Sequence, residues 1–240
     1  MKNLSEKIYR MLEEGKVDKS RIVYHIEGIG GNQDLLEKSV KKSVWGNLTA
    51  VLALDLSDDS PQKEQVEMRL TKDWLRWMKI KEEEFWKLAD QNTPRCRPAV
   101  LRPLELVLRE MIGKMAVASG NEELKKEILA DSMMHHRGYI MYVLTNRSGV
   151  HGAAAVLYPG ILKLAAERIG GDLLVLPSSV HEVILLKWEE EIQLRKAAEL
   201  VRSINRTIMQ QKDVLADSAY IYRRASERIE GMNADGEMIF

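Results

Sequence analysis

Residues 176–186, LPSSVHEVILL, set Ser178, Ser179, His181 and Glu182 within five positions. These are the residue types of nucleophilic acyl transfer: a hydroxyl that attacks, an imidazole that takes its proton, a carboxylate that orients the imidazole. The types alone do not make the geometry. If 182–187 is a strand, Glu182 points to the opposite face from His181 and the orienting carboxylate has to come from elsewhere. There is no G-x-S-x-G elbow and no separate glycine-rich oxyanion loop. A proline followed by two serines is ordinary turn material between strands, so the stretch reads as a connector, with Pro177, Ser178, Ser179 and His181 as binding candidates and Ser179, His181 and Glu182 as the catalytic alternative.

The other chemistry-bearing residues are scattered. His25, His135, His136, His151 and His181 have no metal-ligand spacing, neither H-x-x-x-H nor H-E-x-x-H, and paired cysteines are absent, so no metal and no cofactor is expected. Cys96 is the one cysteine, which excludes an intramolecular disulfide and reads as an inert thiol. Near it, NTPRCRPAVLRPL (92–104) interleaves Arg95, Arg97 and Arg102 with prolines; Arg95 and Arg97 are binding candidates. The segment has no aromatic platform of the kind that single-strand binders use. The Gly-Gly pairs at 30–31 and 170–171 fit neither a P-loop nor a dinucleotide fingerprint and read as turns or caps.

The elements that must position these residues follow from periodicity. A short amphipathic helix is predicted over 3–14, a strand in RIVYHIEGIGG (21–31), and a second helix or helical turn over 33–46. NLTAVLALDLS (47–57) is a strand covered on both faces, the DDSPQ turn follows, and VEMRL (66–70) is its partner, with Val66, Met68 and Leu70 buried and Glu67 and Arg69 wet. A tryptophan-rich helix runs over 72–92, with Trp74, Trp77, Met78, Phe85, Leu88 and Ala89 in the core, and stops there because Pro94 disfavours helical geometry at Thr93. A strand from 99 passes into a helix after Pro103, and Asn121 caps another over 121–134. YIMYVLTNRSGVHGAAAVLYPG (139–160) is predicted as a hairpin turning at NRSG. A helix from 161 capped by Gly170 comes next, then strands at 172–176 and 182–187, a long helix over 189–211, a last strand at 218–225 and a fraying tail.

This pattern is an α+β fold of mixed or antiparallel sheets with packed helices and two similar strand-strand-helix-strand units. The expected division is an N-terminal helix (1–20), a first lobe (21–113), a second lobe (114–230) and a tail (231–240). LADQNTPRCRPAVLRPLELVLREMI, MYVLTNRSGVHGAAAVLYPGILKLAAERIGGDLLVLPSSVHEVILL and DVLADSAYIYRR together resemble a family of uncharacterised proteins, classed as a domain of unknown function, from gut Gram-positive anaerobes. The resemblance spans about residues 20–225. It implies a bacterial α+β protein and carries over no activity or catalytic residue; members generally have a longer N-terminal part, which implies that this chain lacks a lobe or is a fragment.

The 36 basic and 36 acidic side chains cancel, so no global field gathers nucleic acid or anionic lipid, and nucleic acid is disfavoured as a partner. The charged N-terminus is no secretion signal, and no apolar run reaches the ~18 residues that span a bilayer. A cytoplasmic protein-interaction domain is therefore the expected function, with protein as the partner. The competing readings are a hydrolase using Ser179 and His181 and a small-ligand sensor.

Overall fold

The computed structural model describes residues 17–29, 31–57, 66–119, 140–177 and 179–239. The predicted helices over 3–14 and 121–134, the DDSPQ turn, Ser178, His135 and His136 lie outside the described residues. The chain folds as α+β, with two antiparallel sheets.

The first sheet is built around β3 (Leu48–Asp55), nearly all of it buried. Strand β1 (Ile22–Glu27) pairs along one side of it. Two short strands, β2 (Lys41–Val44) and β4 (Glu67–Arg69), lie end to end along the other. Only Gln33–Lys38 of the predicted second helix is helical (α1), capped by the Asn32 side chain. The remainder becomes β2, because its backbone is captured by the exposed edge of β3, and pairing there outweighs local propensity.

Helices α2 (Lys72–Met78) and α3 (Glu82–Cys96) replace one continuous helix, separated where Lys79 adopts left-handed geometry. Trp77 of α2 is exposed rather than core, whereas Phe85 and Trp86 of α3 are buried. Pro94 lies inside α3 and does not stop it at Thr93. The reason is tertiary: Thr93 is fully buried, its hydroxyl donating to Ala89 O at 2.6 Å and accepting the Tyr24 N–H of β1 at 3.0 Å. A proline three residues from the helix end costs one backbone hydrogen bond, which this anchoring outweighs.

The second sheet has the order β10-β9-β7-β8-β6-β5, comprising β5 (Ala99–Pro103), β6 (Met141–Asn146), β7 (Leu173–Leu176), β8 (Val183–Lys187), β9 (Ser218–Arg223) and β10 (Arg228–Asn233). Helix α4 (Leu104–Ser119) follows β5. Since β5 pairs with β6, the sheets divide between β4 and β5, ahead of the expected lobe boundary at 113. The expected tail is not frayed through its length: Gly231 to Asn233 complete β10, which closes on β9.

The predicted hairpin at NRSG is corrected. After β6 the chain turns at 146–150, where Asn146 Oδ1 accepts from Gly149 N and from the Ser148 hydroxyl, both at 2.8 Å. It then enters a buried 3-10 turn, Gly152–Leu157, instead of a second strand. Three successive small alanines allow the turn to fit inside the core, where no sheet edge is offered to them. Helix α5 (Ile161–Ile169) and its Gly170 cap stand as predicted. Helix α6 is Leu194–Thr207, shorter than expected.

One apolar core runs through both sheets, joining Ile22, Tyr24 and Ile26 of β1 and Leu52 and Leu54 of β3 to Leu144, Val175 and the alanines of the 3-10 turn. Helix α6 covers a smaller cluster on the large sheet through Ala197 and Ala198. The seam is therefore dry on one face of β1. Its other face carries polar side chains.

Candidate functional site

Alternation along β1 sends Ile22, Tyr24 and Ile26 into the core, and so sends Val23, His25 and Glu27 to the opposite face. Residues directly opposite in the register share a face. His25 faces Val51, Asp55 faces Glu67, and Ala53 faces Arg69 on one side and Val23 on the other. One face of the first sheet thus carries His25, Glu27, Asp55, Glu67 and Arg69. Strands β1 and β4 flank β3 at about 4.8 Å each. Their long side chains meet over β3 because its residues on this face, Val51 and Ala53, are small. Glu67, expected to be wet, is mostly covered as a member of this cluster, its side chain 11% exposed.

His25 Nε2 lies 2.9 Å from Glu27 Oε1, and its Nδ1 lies 2.8 Å from Glu67 Oε1. Arg69 pairs with Glu27. Arg97, the residue that caps α3, reaches in from the side: its Nη2 is 2.8 Å from Glu67 Oε2 and 3.5 Å from Asp55 Oδ2. The second half of the chain contributes His151, whose Nδ1 sits 2.9 Å from the same Glu67 Oε1. The ring of His151 stacks on His25 at 4.6 Å. His151 holds φ 48° and ψ 31°, a left-handed conformation that costs a side-chain-bearing residue roughly 1–2 kcal/mol. Non-glycine residues in such geometry cluster at functional sites.

The Nδ1 atoms of His25 and His151 are shielded from solvent, and neither makes an aligned hydrogen bond. Their separations from Glu67 Oε1 would suit hydrogen bonds; the directions do not. Two imidazole nitrogens and one carboxylate oxygen thus lie within 4.8 Å of one another, as the ligand atoms of one ion would. Four bonds of about 2.0–2.1 Å in a tetrahedron separate the donor atoms by about 3.3–3.4 Å. The two nitrogen-oxygen contacts lie about 0.5 Å inside that spacing, and the two nitrogens lie within 4.8 Å of each other.

The surrounding groups fit the same chemistry. A ligating histidine usually gives its other ring N–H to a carboxylate, a place that Glu27 occupies, and Arg97 faces the other Glu67 oxygen as an ion pair at 2.8 Å without an aligned hydrogen bond. Two arginines face three carboxylates, so with neutral histidines the cluster has one negative charge in excess. Burial alone would lower the pKa of His25, but Glu67 and then Glu27 outweigh it and hold it above the ordinary histidine value. Burial alone would raise Glu67; the opposing pull of His25, His151 and Arg97 holds it well below the usual carboxylate range. A proton on His25 or a bound cation would balance that excess charge.

From this buried point the imidazoles run outward. His181 lies parallel to His151 with ring centres 6.0 Å apart, and side-chain exposure rises from 1% at His25 to 30% at His151 and 37% at His181. His181 Nδ1 accepts the backbone N–H of His151 at 3.3 Å, and its Nε2 is 3.5 Å from Asp213 Oδ1. Asp213 is the carboxylate beside His181, coming from elsewhere in the chain as strand alternation required of an orienting group.

Ser179 is buried, and its hydroxyl accepts the backbone N–H of His181 at 3.1 Å. That contact fixes a turn and leaves the imidazole unengaged with the hydroxyl. Burial raises the Glu182 carboxyl pKa, and the Glu182 carbonyl accepts Ser179 N–H at 3.2 Å. Pro177 is buried beside them. Arg95 is exposed and donates to Ser20 O at 2.6 Å, away from the cluster, and Cys96 is half-buried with a pKa raised by that burial. Of the sequence candidates, Arg97 lies at the centre and His181 at the outer end of the imidazole row, against the His151 backbone. It adds His25, Glu67 and His151, which a search for ligands close along the chain passes over. One signal was available: a histidine and a glutamate two apart in the otherwise apolar strand IVYHIE need buried partners.

Among the described residues no helix is long and apolar enough to cross a membrane. No curated protein and no solved structure matches the chain significantly. The chain belongs to DUF5688, a family of unknown function, whose model matches residues 2–224.

Proposed function

We propose that this protein is a metal-dependent hydrolase, with His25 Nδ1, His151 Nδ1 and Glu67 Oε1 as ligands to a divalent transition ion of the zinc class. One observation carries the reading: three ligand atoms from β1, β4 and the 3-10 turn converge within 4.8 Å without aligned hydrogen bonds between them. Two imidazoles and one carboxylate form the ligand set of catalytic zinc sites, which leave a fourth position for water. An ion there lowers the pKa of that water toward neutrality and supplies a hydroxide nucleophile. The partial exposure of His151 and His181 gives that water and a substrate a way in. The lone, half-buried Cys96 suits a reducing cytoplasm.

The test is zinc binding by calorimetry on chelator-stripped protein, with Co(II) absorption to report the ligand field, followed by hydrolysis of generic ester and phosphoester substrates. Glu67→Gln keeps the shape of the ligand, and His151→Asn keeps a residue that tolerates left-handed geometry. Both are expected to weaken zinc binding at least ~100-fold. Wild-type protein that takes up no zinc at low micromolar concentration refutes the reading.

The protein-interaction reading has one observation in its favour. Leu200, Ile204 and Ile208 are exposed at helical spacing along and just beyond α6. Loss of self-association or of partner capture in a Leu200→Glu variant tests it. The metal reading is preferred because isolated exposed apolar side chains are common on any surface.

A further inference from the structure

We infer that His181 is a positioning residue for His151, and that Ser179 and Thr145 hold it in that role. The inference rests on the metal reading for its consequence but on separate contacts for its geometry.

His151 is left-handed with its Nδ1 2.9 Å from Glu67 Oε1, and the turn before it is tied at Val150, whose carbonyl accepts the Asn146 amide at 2.8 Å. Within the turn that it caps, its side chain makes no capping hydrogen bond. Its backbone N–H is instead taken by His181 Nδ1 at 3.3 Å. That bond places the neutral ring's proton on Nε2, facing Asp213 Oδ1 at 3.5 Å. His181 is itself fastened at both backbone ends: its N–H donates to Ser179 Oγ at 3.1 Å and its carbonyl accepts the Thr145 hydroxyl at 2.8 Å.

The fit is close. A Cβ on Gly152 would lie 2.1 Å from Thr145 Oγ1 and 2.5 Å from His181 O, so the residue after His151 runs directly against the latch. Ala153 N–H donates to Val180 O at 3.2 Å, a second tie between the same two segments. The serine and histidine of the PSSVHE stretch thus act on the candidate ligand through the backbone. Neither needs to touch a substrate.

An asparagine side chain places its amide oxygen where histidine has Nδ1, so His181→Asn can accept the same N–H while His181→Ala cannot. The experiment measures zinc affinity by chelator competition, and amide exchange at His151 in zinc-free protein, for wild type and both variants. Expected results are a 10- to 100-fold weaker zinc affinity in His181→Ala, about the loss seen on removing an outer-shell partner, with faster His151 exchange. His181→Asn should restore most of both. Unchanged affinity and exchange in His181→Ala overturn the inference; so does His181→Asn behaving like His181→Ala, since the ring rather than the acceptor would then matter. If wild type binds no zinc, the metal reading fails by itself, and the exchange arm still decides the latch.

Discussion

Replacing Arg97 by methionine removes the cation that joins Glu67 to Asp55 while retaining an unbranched side chain of similar reach. The guanidinium is buried, with contacts of 2.8 Å to Glu67 Oε2 and 3.5 Å to Asp55 Oδ2. Glu67 and Asp55 are themselves almost covered. Breaking a buried ion pair by deleting one partner strands the other and costs about 3–5 kcal/mol. In a domain of this size each kcal/mol moves the melting temperature by about 2–4 °C, so the loss in chelator at neutral pH is roughly 6–20 °C. Zinc should return a disproportionate share, because the charge it restores beside Glu67 and Asp55 outweighs the outer-shell hold lost with Arg97. At a hundredfold excess over Kd any ligand of the folded state adds about 2.7 kcal/mol, and in the variant the ion also replaces the missing positive charge. Differential scanning calorimetry of both proteins, with chelator and with the same free zinc, reads both effects. A variant that melts within about 2 °C of wild type in chelator refutes the charge argument; an equal zinc shift in both proteins refutes the placement of the ion beside Glu67.

The metal-free protein should also show a pH optimum set by this cluster. The pKa of His25 is raised in the fold, so its contribution is complete below the unfolded value of 6.5 and is lost as pH rises through the folded value. Those of Glu67 and Glu27 are lowered, so their contributions are present above 4.5 and are lost as pH falls through their folded values. Urea midpoints of chelated protein should therefore be highest between these limits, and a monotonic rise to pH 9 would contradict this. Gly28→Ala should cost more than about 4 kcal/mol or prevent folding, because its Cβ would lie 1.4 Å from the Leu215 carbonyl oxygen, backbone that has no rotamer to change; denaturant titration measures it. Ser179→Ala removes the acceptor of His181 N–H and should cost about 1–2 kcal/mol. A fluorophosphonate probe should leave Ser179 unlabelled, and a covalent adduct there would reinstate the serine hydrolase.

Local physics accounts for much of the fold. The strands at 22–27, 48–55, 173–176 and 183–187 follow from short apolar runs bounded by glycine, proline and polar turns, and α5 ends at Gly170 as its sequence indicates. The misread elements share a cause. Residues 41–44 became a strand because an edge of β3 was available, 152–157 became a 3-10 turn because only small side chains fit between the sheets, and Pro94 stayed in a helix because Thr93 was anchored to β1. In each case a long-range partner outweighed a local preference.

The candidate site divides along the same line. Its residue types were visible, and Arg97 and His181 were singled out, but its grouping was not: His25, Glu67 and His151 are 42 and 84 residues apart in succession and share no motif. By itself the sequence determined the α+β class and the strand alternation that sets His25 and Glu27 on one face of β1. The register of β1, β3 and β4 and the left-handed entry at His151 were decided only in three dimensions. Side-chain alternation is a property of a single strand, whereas the gathering of His25, Glu67 and His151 within 4.8 Å depends on which strands pair, and that is settled by burial summed over the whole chain.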